Sequence, residues 1–444
     1  MKAKSKKFFI IPFLCAVLLA AGIVIALLCI NRNSNFTDSL PLDTVLTMEQ
    51  AQKDLEFMYN TVRDKHICYI DGSGLDKVFD NAYQEARERL SACDTVTVRD
   101  LWEIGAEMYC SLEDGHTIIT YNGGEVYYNP EAEEGKLISV NGIPVEELLE
   151  RFSKVFPCEP QVDFYRKNIL GVAVCRESWL GLLGVDLSNG LTMTIETDEG
   201  EKTLVFSPYS EESGADPESG AERESFYGYT IDEENSAGIF RLDECTVTEG
   251  YKQALSDFFR EVKEKDISRV AVDLRNNGGG NSDVIIEFMK YIDVSDYYLF
   301  GGVDVRLGGM LIENKAELNT NQKSEYAFSL DNSENNDGKY AYNGRLYALT
   351  SNYTFSSAMD FAVVISDNGL GKIVGEIPGN MPTCYGDKLS FQAPYSKLIC
   401  GVSYKKFYRI DRSKDDSPLI PDIEVPAKEA QEAFINDRYA YFSF

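Results

Sequence analysis

The sequence predicts an α/β protein whose C-terminal half contains a parallel sheet. Strand-like and helix-like patterns alternate from residue 237 onward, and two apolar strands end in turns rich in glycine or serine. Such alternation is typical of parallel sheets covered by helices, whose active sites lie at the carboxyl ends of the strands. In chain order, the predicted strands are Ala237–Arg241, Val270–Leu274, Arg345–Thr350 and Lys372–Gly375, and the predicted helices are Gly250–Lys263, Ser282–Tyr291 and Met359–Ile365.

The N-terminus has the pattern of a membrane anchor. Four lysines within residues 1–7 precede an uncharged apolar run from Phe8 to Ile30. The run is longer than the ~7–15 residues of a secretory signal and meets the ~20 that a spanning helix needs. Because the basic residues precede the run, we expect residues 1–33 to form a cytoplasmic stub and a single-pass transmembrane helix, with the rest extracytoplasmic.

Charge and cysteine content exclude several classes of partner and ligand. The formal net charge is −29, and residues 1–32 hold only basic charges, so the exported part is more acidic still. This argues against binding to nucleic acid or to anionic lipid surfaces. Eight cysteines lie beyond the anchor, without a CxxC pair and without a metal-like cluster around the two histidines. No metal or cofactor is expected, and the spacing assigns no disulfide.

Between the anchor and the parallel sheet, the sequence predicts a helical region over 34–124 and a β region over 125–207. Thr47 with Gln50 resembles a capping box, and helical periodicity covers Gly74–Cys93 and Thr97–Leu112. In the β region, short strands and turns are expected. They include a strand, an Asn-Gly turn and a second strand over 136–145, and a strand pair over 191–206. One helix, Glu146–Phe152, is expected directly after the Asn-Gly hairpin. Residues 208–229, rich in Glu, Ser and Gly, are expected to form a mobile acidic insertion.

Ser356 lies where a predicted strand turns into a predicted helix. An exposed hydroxyl at the positive end of a helix dipole suits a nucleophile, because backbone N–H groups there stabilise developing negative charge. The alternative is an ordinary helix N-cap, for which serine is among the preferred residues. Ser357 is the neighbouring alternative nucleophile.

A nucleophilic serine needs a base and an oxyanion hole. The only histidines are His66 and His116, and spacing does not choose between them. The strand ending at Leu274 runs into Gly278, Gly279 and Gly280, whose backbone N–H groups can approach a substrate closely. A phosphate loop would need GxxxxGK[ST] and a dinucleotide fingerprint would need GxGxxG, and neither pattern is present at this turn.

These segments together resemble peptidase family S41, the C-terminal processing (tail-specific) and tricorn-type serine proteases. The resemblance rests on Asp273–Gly280, Thr354–Ala358, Val374–Glu376, Asp114–Thr117 and Pro421–Val425, which occur in the family's order. It implies a catalytic domain of the ClpP–crotonase β/α spiral kind over 230–444. It also implies that 125–207 holds a PDZ-like or truncated module around Leu137–Val145.

Carried over residue by residue, the resemblance implies that Ser356 is the nucleophile and that the N–H groups of Ser357 and of Gly279 or Gly278 form the oxyanion hole. The processing branch places a lysine base where this chain has Met381, which cannot accept a proton. The tricorn-like branch uses a histidine, and His116 matches its place. A late acidic residue of that branch corresponds to Asp415, with Asp416 as competitor.

The expected function is therefore that of a membrane-anchored extracytoplasmic serine peptidase that cleaves peptide bonds in protein or peptide substrates. One alternative is a protein of the same fold that has lost catalysis and binds peptides or small apolar ligands. Another is a tethered sensor whose PDZ-like part binds exposed C-termini by strand addition. The sequence predicts neither the substrate's identity nor the oligomeric state.

Overall fold

The computed structural model describes residues 36–129, 135–197, 199–208, 225–294, 296–306, 329–331 and 341–437. The predicted anchor at 8–30 lies outside these ranges. Within them, no helix combines the length and the apolar character that crossing a membrane requires. The predicted acidic insertion at 208–229 is described only at its two edges, where Pro208 ends one strand and Tyr227 begins the next.

The described helices and strands follow most of the periodicities in the sequence. The helices are α1 (Met48–Lys65), α2 (Leu75–Ser91), α3 (Val98–Cys110), α4 (Val145–Val155), α5 (Tyr165–Ala173), α6 (Glu177–Leu182), α7 (Glu249–Glu264), α8 (Asp283–Met289), α9 (Ser357–Asp367) and α10 (Ala430–Asn436). The strands are β1 (Val45–Leu46), β2 (Val96–Thr97), β3 (Ile118–Thr120), β4 (Tyr127–Tyr128), β5 (Lys136–Val140), β6 (Ile143–Pro144), β7 (Leu191–Thr197), β8 (Gly200–Pro208), β9 (Tyr227–Asp232), β10 (Ala237–Leu242), β11 (Arg269–Asp273), β12 (Asp296–Tyr298), β13 (Gly302–Val305), β14 (Ser329–Asp331), β15 (Arg345–Thr350), β16 (Gly371–Gly375), β17 (Cys384–Gln392), β18 (Ile399–Tyr408) and β19 (Ile423–Glu424).

A six-stranded sheet in the order β19-β16-β15-β11-β10-β9 confirms the predicted parallel sheet. Its strands are parallel from β10 to β19, and only β9 runs antiparallel to its neighbour. Alternate side chains point to opposite faces, so one face packs with α7, α8 and α9 while the other packs with α10. Because β11 and β15 are neighbours, the turns that follow them meet at one edge of the sheet.

Helices dominate the N-terminal part, as predicted. Thr47 with Gln50 and Thr97 with Asp100 each form a complete capping box, which satisfies backbone N–H groups that α1 and α3 cannot bond internally. Buried side chains of α1, α2 and α3 belong to one large core that also takes in the β region. Residues 36–124 are therefore packed into the body of the protein.

The region from 125 to 208 contains a five-stranded antiparallel sheet in the order β4-β8-β7-β5-β6. The Asn-Gly turn is confirmed, because Asn141 and Gly142 have φ angles of 47° and 78°. The helix predicted at Glu146–Phe152 is confirmed as α4, but the expectation of only short strands and turns after it was wrong, since α5 and α6 follow before β7. In α4, Leu148, Phe152 and Val155 are buried, a helical spacing that continues beyond the predicted helix end.

Strand β3 joins the N-terminal part to the C-terminal part. It pairs antiparallel with β18, with Ile118 opposite Gly401 and Thr120 opposite Ile399. Strand β18 also pairs with β17 and β13, so β3 is one of the four strands of an antiparallel sheet. This pairing places the residues just before β3, including His116, beside the parallel sheet.

Candidate active site

Ser356 lies in the turn between β15 and α9 in a conformation that is unusual for a residue with a side chain. Its φ and ψ are 54° and −129°, a combination that carries backbone strain and occurs mostly where surrounding structure enforces it. Its N–H donates to Asn380 Oδ1 at 2.7 Å. The Ser356 side chain makes no capping hydrogen bond to the helix. Ser356 is thus not an ordinary N-cap, and its hydroxyl is not committed to α9.

Ser357, the neighbouring alternative, has its hydroxyl engaged. Ser357 Oγ donates to the carbonyl oxygen of Gly280 at 2.9 Å and lies 2.9 Å from Ser282 Oγ. Because Ser357 is the first residue of α9, its backbone N–H has no acceptor within the helix. These contacts favour Ser356 as the nucleophile and leave the Ser357 N–H suited to an oxyanion.

The glycine turn packs directly against the serine turn. A Cβ at Gly279 would lie 2.7 Å from Ser356 Cβ and 2.8 Å from the carbonyl oxygen of Phe355, and Gly279 has a φ of 102°. No other residue fits there without moving the serine turn. The Gly279 N–H donates to Asn277 Oδ1 at 2.8 Å. A Cβ at Gly278 would meet no atom within 4 Å, and because the Gly279 N–H is already hydrogen-bonded, the Gly278 N–H is the more available of the two predicted donors.

His116 lies beside the serine turn, in a loop that Asp114 organises. The buried Asp114 carboxylate accepts hydrogen bonds from the His116 N–H at 2.9 Å and from Thr117 Oγ1 at 2.5 Å. Thr117 Oγ1 in turn accepts the N–H of Ser403 on β18 at 3.0 Å. The imidazole packs on Phe355, with 4.7 Å between ring centroids. Neither ring nitrogen of His116 has a hydrogen-bond partner among the described residues.

His66 is fully buried and has a structural role behind this loop. Its Nδ1 accepts the N–H of Cys68 at 3.1 Å, so Nε2 carries the proton and donates to Asp114 Oδ2 at 3.2 Å. Burial favours the neutral form of Asp114, but its contacts with His116 and His66 hold its pKa well below the usual range. With both nitrogens engaged, His66 is not available as the base, and His116 is.

Glu159 completes a group of three that the sequence analysis missed. It is only 7% exposed, and neither carboxyl oxygen has a hydrogen-bond partner among the described residues. Burial, followed by the charge of Asp114, raises its pKa to about 8. Ligand atoms of Asp114, His116 and Glu159 all lie within 4.8 Å of one another. Glu159 is distant in sequence and carries no motif, so no local signal identified it.

A cavity of about 930 Å³ holds the predicted nucleophile, base and oxyanion donors together. Ser356, Ser357, His116, Gly278 and Gly279 all line it. Most of the remaining wall is apolar or aromatic, and includes Phe156, Tyr165, Trp179, Phe300 and Phe407. The arrangement suits an extended peptide whose apolar side chains contact the wall.

Asp415 is not among the residues that line the cavity. Its Oδ1 accepts from Thr383 Oγ1 at 2.6 Å and its Oδ2 from Arg412 Nε at 2.8 Å. Thr383 precedes Cys384, which does line the cavity, so Asp415 lies behind the wall. Asp416, its competitor, is exposed. The role of Asp415 stays a prediction.

Met381, at the place of the lysine base in the processing branch, is 3% exposed and belongs to the large N-terminal core. Two lysines that the sequence analysis did not consider, Lys388 and Lys405, line the cavity from β17 and β18. Lys405 forms an ion pair with Asp387. Lys388 is therefore the lysine to compare with His116 as the general base.

Residues 236–425 match the sequence model of peptidase family S41. The structure is similar to that of mature CPAF, with a TM-score of 0.60 and 12% identity over 88% of this chain and 95% of that chain. It is equally similar to mature CPAF complexed with lactacystin, with a TM-score of 0.61 and 12% identity over 89% of this chain and 97% of that chain. Identity this low supports a common fold only. No curated protein matches the sequence.

Proposed function

We propose that this chain is a member of peptidase family S41, whose sequence model matches residues 236–425, and that it cleaves peptide bonds with Ser356 as nucleophile and His116 as general base. The observation that carries the proposal is the serine turn itself. Ser356 is held in a strained conformation at the start of a helix, without a capping bond, in the same cavity as His116. Strain of this kind is concentrated at functional sites.

In the proposed reaction, Ser356 Oγ attacks the peptide carbonyl carbon while His116 takes the hydroxyl proton. The carbonyl oxygen becomes an oxyanion, which accepts hydrogen bonds from the Ser357 N–H and from Gly278 or Gly279. One such donor contributes about 3–4 kcal/mol in serine proteases. His116 then gives the proton to the leaving amine as the C–N bond breaks, and water hydrolyses the acyl-enzyme by the same steps.

His116 needs a group that orients it. Asp114 is the nearest carboxylate, with Oδ1 3.7 Å from His116 Nδ1, and it also fixes the loop through the His116 N–H. Asp415, the residue that the resemblance implies, would act at longer range through Thr383 and the cavity wall. We propose that Asp114 supplies the direct electrostatic support and that Asp415 stabilises the wall from behind.

The finer architecture and the location also belong to the proposal. We take the catalytic part to be a spiral of the ClpP–crotonase kind, supported by the parallel strands and by the two turns at one sheet edge. The sheet around Leu137–Val145 would be its PDZ-like module. The apolar run at 8–30 would anchor the chain, with the catalytic part extracytoplasmic. Alkaline extraction of membranes from cells expressing the full chain, against a variant lacking residues 1–33, tests the anchor.

Fluorophosphonate labelling of the purified protein tests the chemistry. Ser356→Ala should abolish both labelling and peptide cleavage, whereas Ser357→Ala keeps the nucleophile and should still be labelled. Labelling of Ser356→Ala equal to that of the parent would contradict the assignment. The unbonded imidazole and the apolar cavity also suit a non-cleaving peptide binder. Peptide binding without labelling of the parent would support that alternative.

A further inference from the structure

We propose that Asp114, His116 and Glu159 bind one Zn²⁺ ion, and that the ion inhibits the peptidase by occupying its general base. The three side chains place one ligand atom each within 4.8 Å of the others. The binding claim stands on this geometry alone, while the inhibitory claim rests on the proposed function.

Glu159 is the strongest indication of a ligand. The residue is 7% exposed, yet neither carboxyl oxygen is hydrogen-bonded to a described residue. Burying an unpartnered polar group costs free energy, which most proteins avoid by supplying a partner. A cation bound between Glu159 and Asp114 would satisfy these oxygens and offset the repulsion between two buried carboxylates.

Asp114 is already oriented as metal-binding carboxylates usually are. Its Oδ2 accepts from His66 Nε2 at 3.2 Å and from Thr117 Oγ1 at 2.5 Å. Its Oδ1 accepts the His116 N–H at 2.9 Å, and since a carboxylate oxygen has two lone pairs, Oδ1 retains one for an ion. Hydrogen bonds that fix a ligand in this way raise metal affinity.

His116 supplies the nitrogen ligand. Its Nδ1 lies 3.7 Å from Asp114 Oδ1, near the roughly 3.4 Å that separates two ligands of a tetrahedral zinc ion with bonds of about 2.0–2.2 Å. One imidazole with two carboxylates suits zinc, whereas Mg²⁺ prefers oxygen ligands in an octahedral shell. The ion would enter from the cavity that His116 lines, and water would take the fourth position.

Zinc at Nδ1 would remove the basicity that catalysis needs. The ion would occupy the Nδ1 lone pair, so the single proton of the neutral imidazole would lie on Nε2, which would then have no lone pair to accept another. His116 then no longer accepts the Ser356 proton, and inhibition is reversible because no covalent bond forms. The ion would be an inhibitor of the reaction and would take no part in it.

Zinc titration against a competing chromogenic chelator tests the binding claim. The variants are Glu159→Gln, which keeps the shape and removes the ligand, and Asp163→Asn, which removes an exposed carboxylate nearby. We expect Glu159→Gln to weaken binding of the tightest Zn²⁺ at least tenfold, and Asp163→Asn to bind as the parent does. Equal affinity in parent and Glu159→Gln would overturn the claim. So would sulfur ligands in the zinc X-ray absorption spectrum, because the described part holds eight free cysteines.

Peptide cleavage with and without Zn²⁺ tests the inhibitory claim. Zinc should suppress cleavage by the parent and a chelator should restore it, whereas the activity of Glu159→Gln should not change at the same concentration. Zinc that binds without inhibiting would overturn this second claim only. If the parent cleaves no peptide even in chelator, the proposed function fails while the binding result stands.

Discussion

Asn380 Oδ1 accepts the backbone N–H of Ser356 at 2.7 Å. Asn380 is fully buried, and its Nδ2 donates to the carbonyl oxygen of Met381 at 3.2 Å. The amide therefore connects the serine turn to the segment before β17, and it provides the partner that the strained Ser356 N–H needs.

Asn380→Ala should reduce kcat by about tenfold to a hundredfold with little change in KM, because the nucleophile would lose its position while the cavity wall remains. The unpaired N–H should also lower the free energy of unfolding by about 1–3 kcal/mol. Asn368→Ala is the matched control, since Asn368 Oδ1 accepts the Tyr298 N–H at the other end of α9. If both variants kept full kcat, Asn380 would have no positioning role.

Gly279→Ala should abolish labelling of Ser356. It should also lower the free energy of unfolding by more than the strain of placing a side chain at a positive φ accounts for. The added methyl group would lie 2.7 Å from Ser356 Cβ, and overpacking of this kind costs about 1–3 kcal/mol. Gly369→Ala is the control, because Gly369 has a φ of 68° but open space around its Cβ position. Urea unfolding and labelling should separate the two variants, and equal losses in both would contradict the steric argument.

His116→Gln should lower kcat/KM by about 10²–10⁴, the usual contribution of general acid–base catalysis. Lys388→Ala should keep most of the activity, since the proposed reaction gives Lys388 no proton to carry. Steady-state cleavage of one peptide by both variants decides between the two bases. The reverse result, a large loss at Lys388 and a small one at His116, would transfer the base to the lysine.

The raised pKa of Glu159, about 8, makes stability depend on pH in a definite direction. The folded protein binds this proton more tightly than the unfolded chain, where the glutamate pKa is about 4.3. The free energy of unfolding should therefore fall as pH rises between those values, by up to about 1.4 kcal/mol per pH unit, and level off above pH ~8.

Glu159→Gln cannot ionise at this position and should lose that dependence. Relative to the parent, it should gain stability as pH rises from about 5 to about 8. Urea unfolding in chelator-treated buffer measures this, with Asp163→Asn as the control for removing an exposed charge. Parallel stability curves for parent and Glu159→Gln across this range would show that Glu159 is already ionised when buried.

The sequence predicted the parts of the site whose signals are local. Apolar periodicity located the strands before Gly278 and Ser356, and turn chemistry located the Asn-Gly hairpin at Asn141. The sequence did not identify Glu159 and Asn380, because each acts through a contact with a residue remote in sequence and neither lies in a motif. The helices between residues 145 and 183 were partly missed since their buried positions lie among turn-forming residues, and only packing against the large core distinguishes them.

The pairing of β3 with β18 has a consequence for how the protein acquires activity. In the folded protein Ile118 lies opposite Gly401, and this pairing, just after His116, joins two segments separated by most of the chain. A ribosome makes the histidine long before it makes its partner strand, and closing so long a loop is slow. If His116 is the base, as proposed, a nascent chain would therefore gain peptide-cleaving activity only after this pairing has formed. On this proposal, cleavage activity appears late in folding, and a chain that ends before residue 399 would not have it.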